Sequence, residues 1–322
     1  MKKLVMALAA TAALSLTACA PDAAPSAEAD YPKAGSTVKL VVPFSAGGTT
    51  DITARAFAPV LSDALGANVE VINTPGAGGQ VGLTSLASAA ADGYTIGFTN
   101  LPSSIPTYLV KDRGATYTKD SFAPIGALAR TTNYLAVSAS SSYGSLNDLL
   151  AAAKAAPGKI TVGVAGDDEQ LGVEAAAKSA GVTFNIVPFD GGSEKTTALL
   201  GKQVEAIVGG GTTIIPGVKN GDFRALGLFG GSKDPFLPDI PTFKDQGIDI
   251  DINGYLVVSA PAGTPEPVLE RIEDAIEKAT TDSKFRDLVN AGFQEPLFVP
   301  GSEISQKWSD QQATFETQLA AK

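Results

Sequence analysis

The chain reads as an α/β protein. Short β-branched apolar runs alternate with amphipathic stretches of helical length, and glycine-rich loops sit where strands hand over to helices. Strands spaced by helices in this way pair in parallel through crossovers. The first unit is a strand over 38–42, a loop from Pro43 to Gly48, and a helix opening at Thr49 or Thr50 and running to 65. Its apolar face is expected to carry Ile52, Ala56, Val60 and Ala64, with Pro59 interrupting it and Gly66 closing it. A strand over 69–72, a glycine loop from Asn73 to Gln80 and a helix over 82–90 follow, and Asp92-Gly93 turns into a strand over 94–99.

The same alternation resumes past Arg130. Ser145 and Asp148 have the spacing of a capping box for a helix through Lys154, which Pro157-Gly158 ends. Strands are expected over 160–164, 184–188, 204–208 and 223–229, with helices over 169–179 and 193–200 between them. The strand over 204–208 runs into a further glycine loop, Gly209-Gly210-Gly211-Thr212. The chain returns to sheet near 255–259 and finishes in helices over 266–280, 282–291 and 302–319.

Composition excludes several chemistries. There is no His, which removes the usual Ser-His and Cys-His pairs and the commonest metal ligand. One Cys cannot form an intrachain disulfide or a thiolate zinc cluster. A net charge of −10 argues against a nucleic-acid partner. It also opposes long-range steering of an anion, so any anionic ligand must be held by short-range amides. No cofactor or metal site is expected.

Residues 1–18 have the form of an export signal: Lys2 and Lys3, an apolar run from Leu4 to Leu16, then small residues. That run is shorter than the roughly 20 residues of a spanning helix. Leu16-Thr17-Ala18-Cys19 matches a lipobox, with Cys19 as the lipidated residue and 19–32 as a flexible tether, against the alternative of an ordinary signal with a chance Cys.

The glycine loops are the candidate site. The first N–H groups of a helix carry partial positive charge, and a loop with little side-chain bulk lets an anion reach them. The Pro43–Asp51 loop fits this description. Its bland reading is a tight turn in which Gly47-Gly48 serve geometry and Thr49 or Thr50 the N-cap. Asp51, a poor contact for an anion, is expected to hold loop amides. If ligand oxygens approach Gly48 and Gly78, neither position tolerates a Cβ. The second loop is no dinucleotide fingerprint, because Val81 stands where the third glycine of G-x-G-x-x-G would be. Gly201-Lys202-Gln203 lacks the Ser/Thr and the spaced glycine of a P-loop.

Six segments in order carry a family resemblance: Pro43-Phe44-x-x-Gly47-Gly48-x-x-Asp51 with Arg55, Asn73-x-Pro75-Gly76-Ala77-Gly78-Gly79, Ala91-Asp92-Gly93-Tyr94-Thr95, Pro188-Phe189-Asp190-Gly191-Gly192, Leu237-Pro238-Asp239-Ile240-Pro241-Thr242-Phe243, and Ala260-Pro261-Ala262-Gly263-Thr264-Pro265. Together they resemble the solute receptors of tripartite tricarboxylate transporters, the Bug family. The resemblance implies a two-lobed periplasmic-binding-protein fold of the type II, Venus-flytrap kind, with mixed or parallel sheets flanked by helices. It implies a discontinuous first lobe of 31–131 plus 255–322, a second lobe of 132–254, and crossings near 129–134 and 253–257.

The resemblance further implies a membrane-tethered receptor outside the cytoplasm. Such a receptor closes on a small organic acid, a di- or tricarboxylate or an aromatic carboxylate, and delivers it to two permease subunits. The first-lobe ligand residues would be Pro43, Phe44, Ser45, Gly47, Gly48, Thr49, Thr50 and Asp51, with Asn73, Ala77, Gly78, Gly79 and Asn100. In the second lobe they would be Asp167, Asp168, Phe189, Gly191, Gly192, Gly210, Gly211 and Thr212. The acids at 167–169 depart from the Gly/Ser/Thr-rich loop common in these receptors. Either they face the ligand and repel a second carboxylate, or Asp167 or Asp168 caps the helix. The rival function is a secreted α/β hydrolase or transferase, which without His would need Ser-Lys or carboxylate machinery; no Gly-x-Ser-x-Gly elbow is present.

Overall fold

The structure, a computed structural model, describes residues 31–320. The expected export signal, Cys19 and nearly all of the tether lie outside the described residues.

Two mixed sheets organise the chain. The first has six strands in the order β11-β4-β10-β3-β1-β2. These are β1 (Thr37–Val42), β2 (Asn68–Asn73), β3 (Thr95–Phe98), β4 (Phe122–Thr131), β10 (Gly254–Pro261) and β11 (Glu295–Pro300). The second has five in the order β7-β6-β8-β5-β9: β5 (Asn133–Ser138), β6 (Thr161–Val164), β7 (Asn185–Pro188), β8 (Ala206–Gly210) and β9 (Phe223–Leu228). In each sheet the strands of βα units pair in parallel, and antiparallel strands complete the rest. Strand β1 buries one face completely, with Val38, Leu40 and Val42 at 0% exposure, and on the other face buries Val41 near its carboxyl end while Thr37 and Lys39 stay exposed.

Helices cover both faces of each sheet. In the first lobe, α1 (Thr49–Leu65), α8 (Glu266–Thr281) and α9 (Ser283–Ala291) pack together over one face. On the other lie α2 (Gln80–Ala87), the short α3 (Pro106–Leu109) and the last helix, α10 (Gly301–Leu319). The second lobe has α4 (Leu146–Ala155) and α5 (Asp167–Ala180) on one face and α6 (Gly192–Leu200) and α7 (Gly211–Asn220) on the other. Helix α10 is the strut between lobes. Trp308, fully buried, stacks on Phe122 at 6.0 Å in the first lobe, while the far half of α10 packs on α5 of the second.

Several expectations change. The face of α1 that meets α8 and α9 is Ala54, Phe57, Leu61 and Leu65, while Ile52 is 46% exposed and Ala56, Val60 and Ala64 are only partly buried. The sequence holds two apolar stripes, and the one with Phe and Leu removes more area from water. Pro59 does not interrupt the helix. It sits on the solvent side, where the carbonyl it deprives of a partner can reach water. Strands β4, β5 and β11 and helix α7 were not anticipated. Pro124 and Gly126 break the strand signal of β4, but Gly126 packs closely on β11: a Cβ there would lie 3.2 Å from the Val299 carbonyl. In α7, Gly211, Pro216 and Gly217 mask a helix whose Ile214 and Ile215 are fully buried.

The two first-lobe loops rest on one glycine. A Cβ at Gly82 of α2 would come within 2.7 Å of Pro43 and 2.8 Å of the Thr74 carbonyl. Gly82→Ala should therefore cost about 1–3 kcal/mol by overpacking, read as a lower urea midpoint at unchanged m-value.

Candidate functional site

Strand register brings the glycine loops to one place. The carboxyl ends of β1, β2 and β3 lie at the same edge as the start of β10 and the end of β4, because Val41 pairs with Gly97, Gly97 with Ser259, and Gly254 with Thr131. In the second sheet, Asn133 at the start of β5 pairs with Gly210 at the end of β8, and β6, β7 and β8 run parallel. The chain crosses between sheets from Thr131 to Asn133, so these two edges face each other. Ligands of open α/β sheets sit beyond such carboxyl ends.

The helices that start on the facing edges share one trait. α1, α2, α5, α6 and α7 are preceded by Gly48, Gly79, Gly166, Gly191 and Gly210, and none of these starts has a side-chain cap. By contrast α4, which starts at the outer end of β5, is capped by the Ser145 hydroxyl. The first-turn N–H groups of α1, α5, α6 and α7 thus lack intrahelical partners, with no capping hydroxyl over them, whereas at the start of α2 the Gln80 and Val81 N–H groups already donate to the Ala77 and Gly76 carbonyls.

Asp51 builds the first-lobe loop. Its Oδ2 accepts from the Gly47 N–H at 2.8 Å and Arg55 Nε at 3.1 Å, and its Oδ1 from Asn73 Nδ2 at 2.9 Å. Asn73 Nδ2 also donates to the Phe44 carbonyl at 3.1 Å, and its Oδ1 accepts from Arg55 Nη2 at 3.0 Å. Burial pulls the Asp51 carboxyl up, but the Gly47 N–H, the Arg55 guanidinium and the Asn73 amide outweigh it and hold the carboxyl below its usual range. Asp51 and Asn73 are therefore scaffold, joining the two loops. The left-handed conformation belongs to Gly47 (φ 81°), whereas Gly48 is extended and a Cβ on it would make only an ordinary contact with the Ser45 carbonyl. The loop's shape by itself therefore requires no glycine at 48. Gly78 and Gly79 do have positive φ; Gly79 lies against the rings of Pro43 and Phe44, and Gly78 against the Arg113 guanidinium. Asn100 is buried beside the start of α1: its Nδ2 donates to Thr50 Oγ1 at 2.8 Å, while its Oδ1 has no protein partner.

In the second lobe the acids turn inward. Gly166, not Asp167 or Asp168, is the N-cap of α5. Asp167 pairs with Arg113 of the first lobe. Asp168 accepts the N–H groups of its own residue and Glu169, although burial raises its carboxyl above the ordinary range. Glu169 Oε2 accepts from the Ala165 N–H at 2.6 Å and meets Lys195 Nζ at 2.5 Å. Lys195 is 1% exposed and also donates to the Val208 carbonyl at 2.6 Å, so one buried ammonium on α6 ties α5 to strand β8. Phe189 folds back on Gly163 of β6. Gly192 touches Thr213 across the starts of α6 and α7, where Thr212 also lines a groove of about 630 Å³ between those helices. Gly210 lies by Asn133, and Gly211 abuts Phe293 of the first lobe.

The profile of the tripartite tricarboxylate transporter family receptor matches residues 53–317. The chain belongs to this receptor family. A Cupriavidus necator protein named for the gbd 5′ region is 32% identical over 304 residues, covering 92% of this chain and 89% of its own. A TctC solute-binding protein from Polaromonas, solved without ligand, superposes with a TM-score of 0.81 at 26% identity, covering 91% of this chain and 100% of that one. R. palustris Rpa4515, solved with adipate, gives 0.71 at 25% identity over 90% and 97%.

Sequence reasoning missed Arg113, Lys195 and Phe293 in this receptor. A buried Lys two residues past a Gly-Gly-Ser helix start was the one available signal, whereas Arg113 and Phe293 acquire their roles from partners across the cleft. Among the described residues no helix is long and apolar enough to cross a membrane.

Asp51→Ala should cost the receptor about 3 kcal/mol, since charged hydrogen bonds in a buried site are lost together. The carboxyl is held below its ordinary 3.8, so its contribution is present above that pH and is lost as pH falls through the lower folded value. Urea titrations of both proteins should accordingly diverge at neutral pH and converge in acid.

Proposed function

We propose that this receptor holds a small organic carboxylate between its lobes and passes it to the membrane subunits of a tripartite transporter. The observation that carries the reading is the set of glycine-started, uncapped helices on two facing sheet edges. The amides of Thr49, Thr50 and Asp51 would meet one carboxylate, with the Asn100 amide oxygen accepting from a ligand hydroxyl or an ordered water. The starts of α6 and α7 would read the remainder, whereas the start of α5 is already filled by its own acids. The adipate in R. palustris Rpa4515 supports the ligand class. Residues 31–131 with 255–322 would move as one lobe and 132–254 as the other, closing by rotation about the two crossings. The role is capture without chemistry.

A thermal-shift panel tests this on the full chain lacking residues 1–18, with adipate, succinate, citrate and benzoate set beside glucose and spermidine. At least one carboxylate should raise the melting temperature, with stabilisation growing as RT ln(1 + [L]/Kd), about 2.7 kcal/mol at a hundredfold excess. Stabilisation by glucose or spermidine alone would overturn the ligand class.

We further propose that Cys19 carries the lipid that keeps the receptor at a membrane outside the cytoplasm. Labelling with a fatty-acid probe should be lost in Cys19→Ala; labelling that persists would show the anchor lies elsewhere.

A further inference from the structure

Besides the crossings, the packing of α10 on α5 and the hydrogen bonds of Arg130 to Ser232 and to the Lys233 carbonyl, two further contacts join the lobes. One lies at the β2 flank of the cleft. There Arg113 is tied to the first lobe twice: its guanidinium donates to the Ala77 carbonyl at 2.9 Å, and its own carbonyl accepts from Gln80 Nε2 at 2.9 Å. The same guanidinium pairs with the Asp167 carboxylate of the second lobe. The other contact lies at the β11 flank. Phe293, in the turn between α9 and β11, takes a left-handed backbone (φ 52°), rare for a bulky residue. Its ring meets Phe236 of the second lobe edge-on at 5.7 Å and lies 5.2 Å below the Lys219 ammonium. Gly211 fits so closely that a Cβ there would stand 2.8 Å from Phe293 Cβ and 2.9 Å from its carbonyl oxygen.

β2 and β11 are the two edges of the first sheet, so these contacts bracket the cleft. We infer that they are clasps which hold the lobes closed, one by charge and one by shape, and that they set the ratio of closed to open receptor. The inference rests on the receptor reading, in which the lobes part to admit solute. The charged clasp is partly exposed, with side-chain exposures of 29% for Arg113 and 36% for Asp167, so it is a weak pair that salt loosens. Arg113 keeps its first-lobe partners when the lobes part, so it stays positioned to re-engage. The shaped clasp depends less on salt, since close packing carries it with the Lys219 ammonium adding to it, and it works only because position 211 has no side chain.

The test uses single-molecule energy transfer between dyes at Asp63→Cys on α1 and Lys154→Cys on α4, in the Cys19→Ala background and without added solute. Arg113→Ala and Asp167→Ala should each lower the closed-to-open ratio about two- to fivefold at 20 mM NaCl, and much less at 500 mM. The exchanged pair Arg113→Asp with Asp167→Arg should return the ratio towards that of the parent. Gly211→Val should lower it about tenfold or more at either salt concentration. Distance distributions identical to the parent in Arg113→Ala and in Gly211→Val, with both folded by circular dichroism, would overturn the inference. If Gly211→Val does not fold, the Arg113 and Asp167 variants decide alone. Because no solute is present, a failed carboxylate panel and a failed clasp give separate results.

Discussion

The structure turns on helix starts left open. A first-turn N–H without a partner is costly when buried, and this fold gathers several of them on two facing edges without the hydroxyls that cap α4. Holding those starts open requires other groups to do the structural work that caps would do. In the first lobe that group is Asp51, which binds Gly47, Arg55 and Asn73 and so shapes the loop without covering the amides of α1. In the second it is Lys195, a buried cation that draws Glu169 and the Val208 carbonyl together. Each lobe thus spends its charged groups on the frame and leaves backbone dipoles for the ligand.

This division suits the chain's charge. A protein of net charge −10 gains nothing from long-range attraction of anions. Amides and helix dipoles act within the first turn and carry no net charge, so they select an anion only once it has entered the cleft. The cations near the site are already engaged: Arg55 by Asp51, Lys195 by Glu169, Arg113 by Asp167. In the proposed role, neutral donors would also release bound solute more readily than an uncompensated arginine, as delivery would require.

Most of the βα framework was legible because each unit is local. A β-branched run, a glycine loop and an amphipathic helix are contiguous, and the same contiguity exposed the loops after β1, β2, β7 and β8. What stayed hidden depends on partners far away in sequence. β4 looks broken by Pro124 and Gly126 until β11 is seen lying against that glycine. Gly48 and Gly47 are indistinguishable on paper, and only the folded loop assigns the positive φ to Gly47. Asp167 looked like a cap or a ligand group, because the Arg113 that claims it stands 54 residues earlier and in the other lobe.

The acids of α5 show how one helix start can be withdrawn from an otherwise repeated design. Gly166 leaves the start of α5 open as Gly48, Gly191 and Gly210 do elsewhere, yet Asp168 folds onto the first-turn amides and Glu169 onto the Ala165 N–H. The Asp168 carboxylate therefore lies where an anion would, while Glu169 serves the Ala165 N–H ahead of the helix. The third, Asp167, is turned towards the other lobe. The start of α5 thus carries negative charge of its own, and Asp167 reaches across the cleft to Arg113. On the proposed reading, a second carboxylate on the solute would then look to α6 and α7, on the β8 side of the second lobe.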